Sequence, residues 1–471
     1  MAEVLVTPVR IAGSIFAAGK FKHFMRHIHL IFIFSLLAYG SHCLQAAPVA
    51  PGDTIPDPGR RTITLEEIFA LAEDNETRLK ISRSLEEIAS LKVKESKDSR
   101  FPDIAATVSA SYIGDGVLTD RNFSNAVNAP IPHFGNNFAF EATQVLYAGG
   151  AMKAAVDMAS IGEEIAQKET ELTRQQVRLL LAGYYLDLFR MRNQSVVYRN
   201  NCLLMERLVE LGKSMENHRT ALRNDVTRYE LQLAEMRLAL DKVETEASVL
   251  NYRLCTMLGL DPGTGIDADT SILAGSWDQG YEEEWLALAE TSPSVSIALS
   301  GQEMAETGLR LARAEMIPQI ALTAADHLDG PVLIEVPPLN NNFNYWYVGI
   351  GVRIDFGSLY KSSSRIRQAR TEIVKSRQNT ELARKEKSMD IQAAYRRYIH
   401  SFTELETQTK NVELASENYR VIRNRYENGL SIVTDMVDAS NMKLSAELAE
   451  VNARIGLIYS RCQLRYAAGI L

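Results

Sequence analysis

The chain has 471 residues, enough for two or three domains, and a formal net charge of −8. Hydrophobic residues make up 46% and charged residues 23%, a balance that excludes global disorder. The acidic excess argues against nucleic acid as a partner, because phosphate binding needs a basic face.

The first 46 residues read as a secretory signal peptide. Lys20, Lys22 and Arg26 precede the apolar run Leu30–Tyr39, and small residues follow at Ala46-Ala47. The run is too short to span a bilayer as a helix, which needs about 20 apolar residues. Met25 is a candidate true start, and an amphipathic start of a cytosolic protein is the alternative. Lipidation of Cys43 is disfavoured, because His42 stands where a small residue is wanted, but it stays open. The other cysteines, Cys202, Cys255 and Cys462, show no CxxC spacing and read as small buried helix residues. Residues 47–62 form a Pro-rich extension.

A first structural repeat is expected over 63–262. Thr64 and Glu67 make a capping-box signature, and Phe101-Pro102 stops the helix that follows. The period then changes to two. Ile104, Ala106, Val108, Ala110 and Tyr112 share one face, and Ala105, Thr107, Ser109 and Ser111 the other, so a strand is expected over about 103–113. A Gly-, Asn- and Pro-rich loop leads to a second strand, about 137–147, which ends at Gly149. Long helices follow over about 150–216 and 222–258. Val226, Tyr229, Leu233, Met236 and Leu240 keep a 3-4 spacing that marks paired helices. Some 60 residues of helix reach roughly 90–100 Å, a rod for which a globular domain has no use.

After a linker over 263–282 the series recurs over 283–471. Glu283 to Met316 reads as helix, stopped by Ile317-Pro318. Strands are expected over about 319–327 and 345–356, and long helices over about 358–428 and 432–469. In the last strand Trp346, Val348, Ile350, Val352, Ile354 and Phe356 alternate with Tyr347, Gly349, Gly351, Arg353 and Asp355. Pro102 and Pro318 are 216 residues apart, Gly149 and Gly357 are 208 apart, and Asp225 and Asp435 are 210 apart. A tandem duplication explains three landmarks in the same order.

Four strands per chain cannot close a barrel, and an open edge in lipid leaves backbone groups unpaired. Closure therefore needs several chains, and three would give about twelve strands, an allowed barrel size. Val348, Ile350, Val352 and Ile354 suit lipid, while Thr107, Ser109, Arg353 and Asp355 suit a wet lumen. Tyr112, Tyr345, Trp346 and Tyr347 stand where interfacial aromatics belong. A soluble β-sandwich with one wet face is the competing reading of the strands alone.

No catalytic or cofactor constellation is visible. His133, His218, His327 and His400 are scattered, Gly349-Ile350-Gly351 lies inside a strand, and Ser276 lacks a nucleophile elbow. No enzyme activity, metal or cofactor is expected.

The duplicated plan resembles the TolC-type outer-membrane efflux protein family over about Thr62 to Leu471. The most specific stretch is Arg425-Tyr426-Glu427-Asn428-Gly429-Leu430-Ser431-Ile432-Val433-Thr434-Asp435-Met436-Val437-Asp438-Ala439, which looks like the second tip of that family; Asn224-Asp225-Val226 is its first-repeat counterpart. The resemblance implies a mainly α fold with a β-barrel portion, built from a duplicated helix-strand-strand-helix-helix unit. It further implies a homotrimer with a 12-stranded barrel in the outer-membrane lipid of a Gram-negative cell, continued by an α-helical coiled-coil barrel in the periplasm. Its partners would be a periplasmic adaptor (membrane fusion) protein and an inner-membrane transporter of RND, ABC or MFS type.

Carried over residue by residue, Asp435 and Asp438 would form the periplasmic constriction, and Tyr426 with Asp225 a latch made by a tyrosine–aspartate hydrogen bond. Gly429, Leu430 and Ser431 would meet the adaptor, and Pro102, Gly149, Pro318 and Gly357 would mark the strand–helix junctions. Ser431 stands where close relatives carry an arginine, which puts part of the latch in doubt. The first tip, Asn217-His218-Arg219-Thr220-Ala221, lacks the Gly-Leu pair. The implied function is a passive, gated exit duct of a tripartite efflux or type I secretion system; the alternative is a non-conducting envelope-spanning coiled coil or adhesin. The cargo is not written in the sequence.

Overall fold

A computed structural model describes residues 61–269, 278–333 and 339–471. The signal peptide, Cys43, most of the Pro-rich extension and part of the 263–282 linker lie outside the described residues.

The first repeat opens with β1 (Arg61–Ile63), α1 (Leu65–Asn75) and α2 (Thr77–Asp98). Thr64 caps α1 by accepting a hydrogen bond from the Glu67 backbone N–H at 3.1 Å. After Pro102 come β2 (Asp103–Tyr112), the short strands β3 (Gly116–Leu118) and β4 (Val127–Ala129), and β5 (Phe134–Ala148). The expected loop between the two long strands thus holds a small hairpin of its own, in which β3 pairs antiparallel with β4. Gly149 and Gly150 then turn the chain into α3 (Ala151–Asn217), followed by α4 (Arg223–Leu258) and β6 (Ile266–Ala268). Gly149 needs its φ of +62°, and a Cβ there would lie 2.7 Å from the Ile317 Cβ, so the turn is open to glycine alone.

The second repeat differs at its start. The expected single helix from Glu283 is broken into α5 (Glu282–Ala287), a 3₁₀ turn (Leu288–Thr291) and α6 (Pro293–Ala314). Ser292 and Pro293 cause the break: the residue before a proline leaves the α region, and proline suits the first helical position. Strands β7 (Gln319–Gly330) and β8 (Phe343–Arg353) and helices α7 (Phe356–Glu427) and α8 (Val433–Ala467) complete it. The last strand is shorter than the alternation suggests. Asp355 leaves it to cap α7, accepting from the Gly357 N–H at 2.9 Å, and Phe356 is already helical. Gly357 therefore sits in the first helical turn, without the positive φ that Gly149 uses.

The four long strands form one antiparallel sheet in the order β2-β5-β7-β8. Helices α3 and α7 run for 67 and 72 residues, each about 100 Å long. Each folds back on a shorter partner of 36 or 35 residues.

Packing is concentrated at two levels. Around the middle of α3, Leu181, Tyr185 and Leu186 are buried against Ile63, Ile68, Leu254, Leu258 and Ile266. The Tyr185 hydroxyl ties this level together: it donates to the Ile63 carbonyl and accepts from the Asp269 N–H, both at 2.8 Å. The second repeat uses Tyr398 in the same way, donating to the Asp278 carbonyl at 3.0 Å. Cys202, Cys255 and Cys462 are free thiols buried in these helices. Among the described residues no helix is long and apolar enough to cross a membrane.

Candidate functional site

The register of the sheet decides which side chains share a face. Ile104, Ala106 and Val108 align with Ala142, Phe140 and Phe138 on β5. On the same face, Ala324, Leu322 and Ile320 of β7 align with Val348, Ile350 and Val352 of β8. This face is apolar except for Gln144 and Asp326, which align with Leu322 and with Phe140 and Trp346, and Val108, Ile350 and Val352 are all exposed. The opposite face carries Thr107, Ser109, Thr143, Thr323, Gly349 and Gly351. Both outer strands, β2 and β8, are exposed along their length and, among the described residues, lack a partner on one side. An even number of strands lets β8 of one copy meet β2 of another antiparallel, so several copies can close the sheet with every backbone group paired.

The helical tips form the other candidate site. Each repeat turns by the same device. At the second tip Gly429 takes a left-handed φ of +71°, and the Leu430 N–H donates to the Arg425 carbonyl at 2.8 Å. At the first tip Arg219 takes φ +59°, and the Thr220 N–H donates to the Met215 carbonyl at 2.9 Å. The next helix then starts on an aspartate. Asp225 accepts from the Leu222 N–H at 3.1 Å, and Asp435 from the Ile432 N–H at 3.3 Å. Ser431 adds its hydroxyl to Asp435 at 2.7 Å, so the residue that replaces the expected arginine strengthens the cap.

Asp435 and Asp438 are both exposed. Asp438 opens onto a groove between α7 and α8 lined by Asn411, Ala415, Asn441 and Ser445. Leu430 and Ile432 are exposed apolar side chains at the second tip, and Leu222 at the first.

Tyr426 is buried, 3% exposed, in a core made by all four long helices. Met205, Leu208 and Val209 come from α3, Tyr229, Leu233 and Met236 from α4, Tyr419 from α7, and Val433, Met436 and Ala439 from α8. Its ring meets Tyr229 edge to face, with centroids 6.2 Å apart at 86°. Burial pushes the Tyr229 phenol well above its ordinary range, and the neighbouring Tyr426 hydroxyl and Asp225 carboxylate push it further.

The hydrogen bond that the resemblance implies between Tyr426 and Asp225 is not formed within the chain. The Asp225 oxygen is held by the helix start, and the Tyr426 hydroxyl is buried without a hydrogen-bond partner among the described residues. The tips are instead cross-linked by Arg228, whose guanidinium donates to the Thr434 hydroxyl at 2.8 Å, and by Gln232, which donates to Asn441 at 2.9 Å. No local pattern pointed to Arg228; its partner lies 206 residues away. Tyr229 stands in the sequence as one apolar position of the paired-helix seam, one turn beyond the Asn224-Asp225-Val226 counterpart of the second tip.

Residues 287–470 match the family model described as outer membrane efflux protein. That span takes in almost the whole second repeat, and over it the chain is similar to the outer membrane efflux proteins. The fold extends the likeness to the first repeat. The outer membrane protein VceC of Vibrio cholerae superposes with a TM-score of 0.72 at 15% identity, covering 86% of this chain and 96% of its own. The Campylobacter jejuni outer membrane channel CmeC gives 0.70 at 13%, covering 86% and 85%. The Neisseria gonorrhoeae channel MtrE in its open state gives 0.68 at 16%, covering 86% and 88%. No curated protein sequence matches the chain.

Proposed function

We propose that the protein is the outer-membrane exit duct of a tripartite efflux or type I secretion system, a passive conduit assembled as a homotrimer. The observation that carries this reading is the four-stranded antiparallel sheet with two open edges and one exposed apolar face, rooted on paired helices about 100 Å long. Three copies close twelve strands, put the apolar face into lipid and leave the polar face around water. The helices continue the passage into the periplasm. A periplasmic adaptor meets the tips at Gly429, Leu430 and Ser431, and an inner-membrane transporter of the RND, ABC or MFS class supplies the energy.

The tips serve as the gate. Asp435 and Asp438, repeated in three copies, ring the periplasmic end with carboxylates that hydrate it and repel one another. Tyr426 and Asp225 fasten the closed state by different means: Tyr426 through its ring against Tyr229, Asp225 by holding the start of α4 beside it. Arg228 and Thr434 add the link between repeats that Ser431 does not provide.

Single-channel recording in planar bilayers tests the duct. A purified oligomer that never conducts, even with Asp435 and Asp438 changed to asparagine, would rule it out in favour of a structural coiled coil. Tyr426→Ala, which removes the ring that meets Tyr229, combined with Asp225→Ala should raise conductance. An unchanged trace would remove these two residues from the latch.

A further inference from the structure

The polar face of the sheet is not uniform along its length. Toward the periplasmic end it carries Thr143, Thr323 and Gly349 in one row, and Ala321 with Gly351 in the next. Toward the outer loops the rows change character. One row is Ala105, Glu141, Ala325 and Tyr347; the next is Thr107, Ala139, His327 and Tyr345; the third is Ser109, Asn137, Asp329 and Phe343. Successive rows are about 7 Å apart. Three aromatic rings therefore rise along β8, with Asp329 on the adjacent β7 and Glu141 one strand further, on β5.

These groups are in contact. His327 stacks on Tyr345 at 5.1 Å and on Tyr347 at 6.2 Å, and Tyr345 stacks on Phe343 at 5.5 Å. The His327 Nε2 lies 3.9 Å from the Glu141 carboxylate, and Asn137 donates to Asp329. Much of each ring remains open: Phe343 is 56%, Tyr345 39% and Tyr347 46% exposed. Arg353 is the only lysine or arginine in the four long strands, and it lies at the periplasmic end. The aromatic zone thus holds two carboxylates per chain and no strand cation to neutralise them.

We propose that this zone is a binding site for aromatic organic cations at the outer half of the lumen. The inference rests on the exit-duct reading, because that reading turns the polar face inward. The ring faces are electron-rich and attract a cation held over them. Glu141 and Asp329 supply the opposite charge in a space whose remaining walls are small Ala, Ser and Thr side chains with Asn137 and His327. Three copies around one lumen raise the local concentration of such a cation where the passage opens to the outside. An anion of the same shape gains the stacking but meets the carboxylate repulsion.

The test uses the purified full-length oligomer in planar bilayers, with benzyltrimethylammonium, tetramethylammonium and benzenesulfonate added on the side of the outer loops. Benzyltrimethylammonium should reduce single-channel current at the lowest concentration, and benzenesulfonate should not block. Tyr345→Ala and Glu141→Gln should each raise the half-blocking concentration by about tenfold. Size-exclusion chromatography checks assembly, and Tyr345→Leu replaces Tyr345→Ala where the smaller side chain prevents it. Equal block by benzyltrimethylammonium and tetramethylammonium, or block unchanged in both variants, would overturn the proposal. If the protein never conducts, the duct reading fails, and calorimetric titration of benzyltrimethylammonium into the detergent-solubilised protein still decides this site. Absence of binding, or binding equal in the Glu141→Gln variant, overturns it.

Discussion

The two tips close by the same turn with different residues. In the second repeat the left-handed position is Gly429, which adopts φ +71° at no side-chain cost; in the first it is Arg219 at φ +59°. At the equivalent place one turn before the bend, the second repeat buries Tyr426, whereas the first carries Glu216 in a surface ion pair with Arg223 at 3.5 Å. The exchange runs the other way beyond the bend, where the first repeat buries Tyr229 and the second Ala439. The bend-flanking tyrosines, Tyr229 of the first repeat and Tyr426 of the second, thus enter a single shared core from different levels of their hairpins, beside Tyr419. Duplication preserved the backbone of the tip, and the side chains diverged until the halves became complementary.

The largest test of this complementarity removes a ring. Tyr426→Ala should lower stability by about 3–5 kcal/mol, as for other buried aromatics, whereas Glu216→Ala should change it by less than about 1 kcal/mol. Thermal unfolding of the assembled protein checks both, and equal losses would mean that the tips are interchangeable. The caps come next. Asp435→Ala should cost about 0.5–2 kcal/mol, and more than Asp225→Ala, because Asp435 holds the Ser431 hydroxyl as well as the Ile432 N–H. A greater loss at Asp225 would reverse that ranking.

Turn conformation should have a smaller effect. A Cβ on Gly429 would meet nothing within 4 Å, so Gly429→Ala should cost only the left-handed backbone, about 1 kcal/mol. Arg219→Gly should relieve strain at the first tip, with a gain below about 1 kcal/mol once the freedom of glycine in the unfolded chain is counted. Opposite signs at the two positions would show one turn optimised and the other strained; equal signs would refute that contrast. The smallest effect is expected from Tyr426→Phe alone. It deletes a buried hydroxyl that has no hydrogen-bond partner among the described residues, so stability should be unchanged or rise by up to about 1 kcal/mol. A loss above that, read from the same unfolding curves, would mean that the hydroxyl is bonded across the tips in the assembly.

The sequence by itself determined the elements and their order. Period-two alternation marks strands wherever one face is apolar and the other polar, and 3-4 spacing marks helices wherever one stripe is buried. Both signals are local, so Val348 to Val352 and Val226 to Met236 declare themselves within a few residues. Aspartates before apolar runs, as at Asp225 and Asp435, are equally local and announce helix starts. The break at Ser292-Pro293 belongs to this kind of signal, although the apolar spacing on either side masks it. The hairpin inside the 114–136 loop left no such trace, because its strands are three residues each.

Tertiary structure alone decided the pairing order β2-β5-β7-β8, the meeting of Tyr229 with Tyr426, the link from Arg228 to Thr434, and the rows that set Glu141 and Asp329 beside the rings of β8. Each of these joins residues brought together by two rods folding back on themselves. A side chain's own neighbours in sequence fix its face and its period. Which distant group that face meets depends on the register and length of every element between them.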